Sequence, residues 1–307
     1  MLKIVFLGTP DFSVKPLESI YQKENVKIVG VVCNKDKPVG RKRIITAPPV
    51  KQRALELGLN VLQYDKIKTE GVEDLKSLKP DLMVTCAFGQ ILSQEILDIA
   101  PLGVINVHAS LLPKYRGASP IQACLLAGEK ETGVTIMKTD IGIDTGDIIY
   151  QEKLQIEEED NAGSLFEKLS VLGAKAVSVA IDKIIDGTAE YKKQGEDFIL
   201  TKMVKKEDAF VDFNKTAEEV INMIRAYSPF PTAYTLYNGE PFKIYKAELC
   251  EKEGDKGTVI ESGKNLIVAC KEKSIKLLIV QKFGGKVMPV QDFLRGNAIN
   301  LGTELGK

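Results

Sequence analysis

The sequence predicts an α/β chain of two domains: a mostly parallel sheet flanked by helices, then a small β-barrel. Three observations carry that prediction. Apolar runs of strand length alternate with helix-period segments up to about residue 188. The chain then turns polar. Finally, short β-like runs separated by turns fill residues 233–290.

In chain order, residues 2–7 (L-K-I-V-F-L) form a continuous apolar run that Gly8, Thr9 and Pro10 end. A helical stretch at 14–22 and a second apolar run at 26–33 follow, and strand, turn, helix, strand opens a parallel sheet. The pattern repeats with helices at 50–57 and 72–78, a buried strand at 81–87, and a helix at 91–99. A strand at 103–108, a helix at 120–127 and strand-like runs at 133–138 and 147–150 come next. Residues 162–185 place Leu165, Leu169, Leu172, Ala176, Val179 and Ile184 on one helical face, and Gly187 ends that long helix. Residues 189–205 are polar and connecting; 212–227 carry one more helix, which S-P-F-P stops because proline cannot continue it. In the β-like region Asn238-Gly239 is a hairpin signal. The expected division is residues 1–188, a linker at 189–205, and 206–307.

Composition narrows the class. The chain has 307 residues, enough for two domains, with 42 basic and 42 acidic side chains, so no global charge draws it to nucleic acid or membrane. Its five cysteines are widely spaced, odd in number and without a C-x-x-C pair, which argues against a disulfide framework or a zinc site. The opening lacks the basic start and long apolar core of a signal peptide, and no apolar run approaches the ~20 residues that span a bilayer. The cytoplasm is the expected compartment, and nothing demands more than a monomer.

Chemistry points to a strand end. His108 is the one histidine of the chain, in I-N-V-H-A-S-L-L-P. In an open α/β sheet ligands bind beyond the carboxyl ends of the strands. Asn106 and His108, two apart, share a strand face there. Taken alone, His108 is as readily a core histidine bonded to backbone. The loop I-G-I-D-T-G-D at 141–147 is either a plain turn or a carrier for Asp144. A carboxylate beside the ring favours imidazolium and fixes its orientation, while the Asn106 amide can donate to a developing oxyanion. Together the three can catalyse acyl transfer without a covalent intermediate.

Residues 35–53 hold seven basic side chains against one acid, with three prolines and Gly40. They read as an exposed loop, either simply solvated or contacting phosphates. Residues 264–307 carry a weaker bias, eight basic against three acidic. The opening G-T-P-D-F-S is not G-x-G-x-x-G, so it announces no dinucleotide site.

Taken together, the motifs resemble those of the folate-dependent formyltransferases, and among them the methionyl-tRNA formyltransferase family. They are F-L-G-T-P-D-F-S at 6–13, D-K-P-V-G-R at 36–41, N-V-H-A-S-L-L-P-K-Y-R-G-A-S-P-I-Q at 106–122, E-T-G-V-T-I-M at 131–137, D-I-G-I-D-T-G-D at 140–147 and P-F-P-T-A-Y at 229–234. The resemblance implies a Rossmann-like catalytic domain, an OB-like C-terminal barrel that contacts tRNA, and formyl transfer from 10-formyltetrahydrofolate to the α-amine of methionine on initiator methionyl-tRNA. It implies catalytic roles for Asn106, His108 and Asp144 and no metal. Ser110, Leu111, Leu112 and Pro113 match the folate-binding stretch, with Phe88, Gly89, Ile91 and Leu92 closing the pocket. Arg41, Lys42 and Arg43 match the loop that reaches the acceptor stem.

The nearest rival is a formyltransferase acting on a small amine, an amino-sugar nucleotide or glycinamide ribonucleotide, which would share the triplet but not the basic loop. A non-catalytic RNA-binding protein would have no need of Asn106, His108 and Asp144 together.

Overall fold

The computed structural model describes residues 1–40 and 42–306. In chain order the elements are β1 (Leu2–Gly8), α1 (Val14–Tyr21), β2 (Val26–Asn34), β3 (Lys37–Val39), β4 (Ile44–Thr46), α2 (Pro49–Glu56), β5 (Val61–Tyr64), α3 (Ile67–Glu70), α4 (Val72–Leu78), β6 (Leu82–Cys86) and α5 (Gln94–Leu97). They continue with β7 (Val104–His108), β8 (Arg116–Gly117), α6 (Pro120–Leu126), β9 (Glu131–Lys138), β10 (Ile148–Gln155), α7 (Ala162–Ile185), β11 (Leu200–Thr201) and α8 (Ala217–Tyr227). The last are β12 (Ala233–Tyr237), β13 (Glu240–Cys250), β14 (Val259–Glu261), β15 (Leu266–Ala269), β16 (Ser274–Lys282), β17 (Met288–Pro289) and α9 (Val290–Gly296).

The chain forms two compact units. The first takes residues 1–117, 131–155 and 166–201; the second takes 118–130, 156–165 and 202–307. Neither is continuous in sequence.

The first unit is built on a seven-stranded sheet ordered β10-β9-β7-β6-β1-β2-β5. β5, β2, β1, β6 and β7 run parallel, and β9 and β10 add an antiparallel edge. This is the Rossmann-like, mostly parallel sheet that the alternating pattern predicts. Its middle strands are apolar on both faces because helices cover both. Val5, Leu7, Val32, Met83, Phe88, Leu92, Ile96 and Val104 form one buried cluster. On α7, Phe166 meets Phe12 edge to face at 5.4 Å, and the Ser170 hydroxyl donates to the Phe12 carbonyl at 2.9 Å.

The second unit holds an antiparallel sheet ordered β12-β13-β16-β15-β14, with β17 on β16. Register shifts near Lys246 in β13 and between Val259 and Glu261 in β14 bend the ladder. Among the described residues no pairing joins β12 to β14, so the sheet curls into a half-barrel. α8 lays Val220, Met223, Ile224 and Tyr227 inward, and Phe242 meets Phe293 at 5.2 Å in the same core.

Several elements differ from the sequence expectation. The helix expected over 91–99 shrinks to α5, because Ser93 is extended. Within 212–227 the expected helix begins at Ala217, where Thr216 caps it. The basic segment is not a plain loop: β3 and β4 pair as a short hairpin within it. The connecting stretch 189–205 includes β11, which pairs in parallel with β8. Among the described residues no helix is long and apolar enough to cross a membrane.

Candidate active site

β1, β6 and β7 end side by side, with Gly8 opposite Cys86 and Cys86 opposite Val107. The loops that follow them therefore meet at one edge of the first unit. His108 is the last residue of β7 and is buried. Its Nε2 lies 2.9 Å from the Tyr115 carbonyl, and since a carbonyl can only accept, Nε2 carries a proton. Its Nδ1 faces the Asp144 carboxylate at 3.6 Å. That is within ion-pair reach and longer than a hydrogen bond.

Asp144 is held from its own loop outward. Its backbone is left-handed, with φ of 51°, a conformation that a non-glycine residue keeps only when its surroundings impose it. The carboxylate accepts the Gly117 backbone N–H at 2.8 Å. Gly117 has φ of 90°, and a Cβ there would lie 2.7 Å from the Thr201 carbonyl, so only glycine brings this N–H to the carboxylate. At Gly146 a Cβ would lie 1.7 Å from the Lys138 carbonyl. The two glycines of the D-T-G-D and R-G motifs are thus required by close backbone approach.

Asn106 sits two residues before His108, half-buried, opposite Thr85 of β6. The Thr85 hydroxyl donates to its Oδ1 at 2.8 Å. With its carbonyl taken, the amide offers its N–H₂ group, for which no partner stands among the described residues.

The S-L-L-P turn after β7 is pinned from below. Thr135, buried on β9 opposite His108, donates to the Ser110 carbonyl at 2.6 Å and accepts from the Leu112 N–H at 3.0 Å. Gln151 donates to the Leu112 carbonyl at 2.9 Å. Ser110 is fully buried and its hydroxyl donates to the Lys114 carbonyl, so this side chain shapes the turn; Leu112 is buried, while Leu111 and Pro113 are half-buried. The loop after β6 is tied the same way. The Phe88 carbonyl accepts from Thr9 at 3.2 Å and Asn34 at 3.1 Å, and Gln90 donates to Asn34 at 2.8 Å. Phe88 and Leu92 point into the core, while Gly89 is exposed and Ile91 is 82% exposed.

Sequence reasoning missed Thr85, Thr135, Gln151 and Gln194, which hold the named residues by hydrogen bonds. Thr135 lies within the E-T-G-V-T-I-M motif at 131–137, which does not show its partners; no motif marks the other three, and all four reach partners at least 16 positions away.

The basic segment is sorted by its contacts. Lys35 pairs with Asp65, Lys51 with Asp36, and Arg53 with Glu18 and Glu56. Lys37, Lys42 and Arg43 are exposed on the β3–β4 hairpin, with no ion-pair partner among the described residues. Arg41 lies outside the described residues.

Fold and site together define a formyl transferase. Residues 2–181 match the formyl transferase family, and residues 203–298 match the formyl transferase C-terminal domain. The methionyl-tRNA formyltransferase of Bacillus subtilis is 43% identical over 312 residues, covering 100% of this chain and 98% of that protein. That of Staphylococcus epidermidis is 44% identical over 302 residues, covering 96% of each. The chain belongs to the methionyl-tRNA formyltransferase family. A crystal structure of an N-formyltransferase from Helicobacter canadensis, in complex with folinic acid and dTDP-3-aminofucose, gives a TM-score of 0.69 at 24% identity, covering 92% of this chain and 100% of that one. At that identity the likeness speaks for the fold alone.

Proposed function

We propose that this chain transfers the formyl group of 10-formyltetrahydrofolate to the α-amine of methionine on initiator methionyl-tRNA, giving N-formylmethionyl-tRNA. Full-length identity to the bacterial relatives supports the substrates. The observation that carries the chemistry is His108 held between the Tyr115 carbonyl and the Asp144 carboxylate, with the Asn106 amide beside it on the same strand face.

The folate donor supplies a formyl carbon bonded to nitrogen. The amine nitrogen forms a bond to that carbon, the carbon–nitrogen bond to the folate breaks, the amine loses a proton, and the leaving nitrogen gains one. Asn106 donates its N–H₂ to the formyl oxygen as negative charge grows there. At Nδ1, the ring nitrogen that the Tyr115 carbonyl does not hold, His108 takes the proton that leaves the amine and returns it toward the leaving nitrogen. Asp144 orients the ring and balances its charge when both nitrogens are protonated.

The residues fit a flat bicyclic donor with a polar edge. Gly89 and Ile91 are exposed beside the buried Phe88 and Leu92 on the loop after β6, and with the S-L-L-P turn at 110–113, on the loop after the neighbouring β7, they are assigned to the folate. Lys42 and Arg43, with Arg41, are assigned to the acceptor stem, and the half-barrel of residues 206–307 to the rest of the tRNA. Catalysis belongs to residues 1–188. The working form is a cytoplasmic monomer.

The test is formylation of methionyl-tRNA with 10-formyltetrahydrofolate. Wild type turns over, and Asp144→Ala loses about 10²-fold or more in kcat while still binding the folate. Wild-type turnover with an amino-sugar nucleotide and none with methionyl-tRNA would replace this reading with the small-amine one.

A further inference from the structure

We infer that Gln194, in the polar segment after α7, is a positioning residue that holds the Asp144 turn in its working conformation. The inference rests on the formyl-transfer reading of the same site.

The Gln194 side chain donates from Nε2 to two carbonyls of one turn, Asp144 at 2.9 Å and Gly146 at 2.7 Å. These are the backbone groups on either side of Thr145 and include the residue with left-handed φ. The orientation of the amide is set from its other end, since Oε1 accepts from Arg116 Nε at 2.9 Å. An arginine only donates, so the oxygen must face it and the N–H₂ must face the turn.

Arg116 is itself buried and fixed. Its guanidinium lies over the Phe198 ring at 4.5 Å, its carbonyl accepts from the Thr201 hydroxyl at 3.0 Å, and it pairs with Leu200 across β8 and β11. The next residue, Gly117, gives its N–H directly to the Asp144 carboxylate. One two-residue strand therefore holds Asp144 twice, at the carboxylate through Gly117 and at the backbone through Gln194. Gln194, and the Phe198 and Thr201 that anchor Arg116, all lie in the segment whose sequence reads as a connector. Gln194 contacts neither His108 nor Asn106 in any hydrogen bond; it acts on the reaction through the place it gives Asp144.

Two variants separate positioning from packing. Gln194→Glu keeps the length and the Arg116 contact but turns the donor end into an acceptor facing two carbonyls. Gln194→Ala removes both ends. Both are compared with wild type and Asp144→Ala for kcat and for KM of each substrate. In both Gln194 variants kcat falls about tenfold or more while both KM values stay within about twofold, since a small misplacement of a working group costs rate before binding. A second readout needs no substrate. His108 is the chain's one histidine, so the ring Cε1–H signal in proton NMR is unambiguous. In both variants it moves toward its position in Asp144→Ala.

Gln194→Glu with wild-type kcat overturns the inference, because packing and the Arg116 contact are then sufficient. A lowered kcat with an unmoved His108 signal also overturns it, because the effect then does not pass through Asp144. If wild type fails to formylate methionyl-tRNA, the functional reading falls instead, and the NMR comparison still decides whether Gln194 sets the Asp144–His108 arrangement.

Discussion

Asn106 has one end of its amide committed and the other open. The Thr85 hydroxyl, donating to Oδ1 at 2.8 Å, favours the orientation in which the amide presents its N–H₂ rather than its carbonyl. Thr85→Val removes that constraint without changing shape much. Its kcat falls severalfold, less than the roughly 10²-fold expected for Asn106→Ala, which deletes the donor itself. Steady-state kinetics on both variants checks the order; equal losses, or a loss confined to KM, would show that Thr85 does not aim the amide. The pair also shows what sequence makes legible at this scale. Asn106, His108 and Asp144 lie in motifs whose glycines and prolines mark a strand end and a tight turn. Thr85 sits inside an apolar strand, where a threonine is an ordinary β residue, and Gln194 lies in a stretch with no periodicity. Their roles follow from partners 21 and 50 positions away, which only the fold brings near.

Among the elements, helix α8 has the most explicit start signal. Thr216 accepts the Glu219 N–H and Glu219 accepts the Thr216 N–H, a complete capping box that ends the preceding turn and begins the helix at Ala217. The apolar period alone does not locate an end, and it is this box that sets the start of the helix within 212–227. Thr216→Ala costs about 1 kcal/mol and lowers Tm by about 2–4 °C if the chain melts in one transition. Differential scanning calorimetry measures it, and an unchanged Tm would mean water replaces the cap at no cost. Long elements were legible for the converse reason: α7, with 24 residues, repeats its apolar face over six turns. The three-residue strands β3 and β4, exposed throughout, carry no alternation to read. β5, V-L-Q-Y, is too short and too partially buried to stand out.

For the molecule as a whole, the charge balance of 42 to 42 makes any attraction to RNA local. The basic segment 35–53 is where the sequence places it, and the structure divides that segment. Three of its cations, Lys35, Lys51 and Arg53, already face carboxylates of the same chain. Binding a phosphate would require breaking those pairs. Lys37, Lys42 and Arg43 stand exposed on the hairpin, and on the proposed function they are the cations that would release counterions from RNA. Each such contact contributes about 0.7–0.9 to the slope of log affinity against log salt. Lys42→Ala combined with Arg43→Ala therefore weakens methionyl-tRNA binding and flattens that slope by about 1.4–1.8, with the KM for the folate donor unchanged. Lys51→Ala leaves the slope as it is and changes thermal stability instead, because it removes a bond to Asp36 and Gln63 inside the unit. Titration of tRNA binding over a series of salt concentrations, with wild type and both variants, separates the two groups. A slope that falls equally for Lys51→Ala would mean that the whole segment, hairpin and helix alike, faces the phosphates.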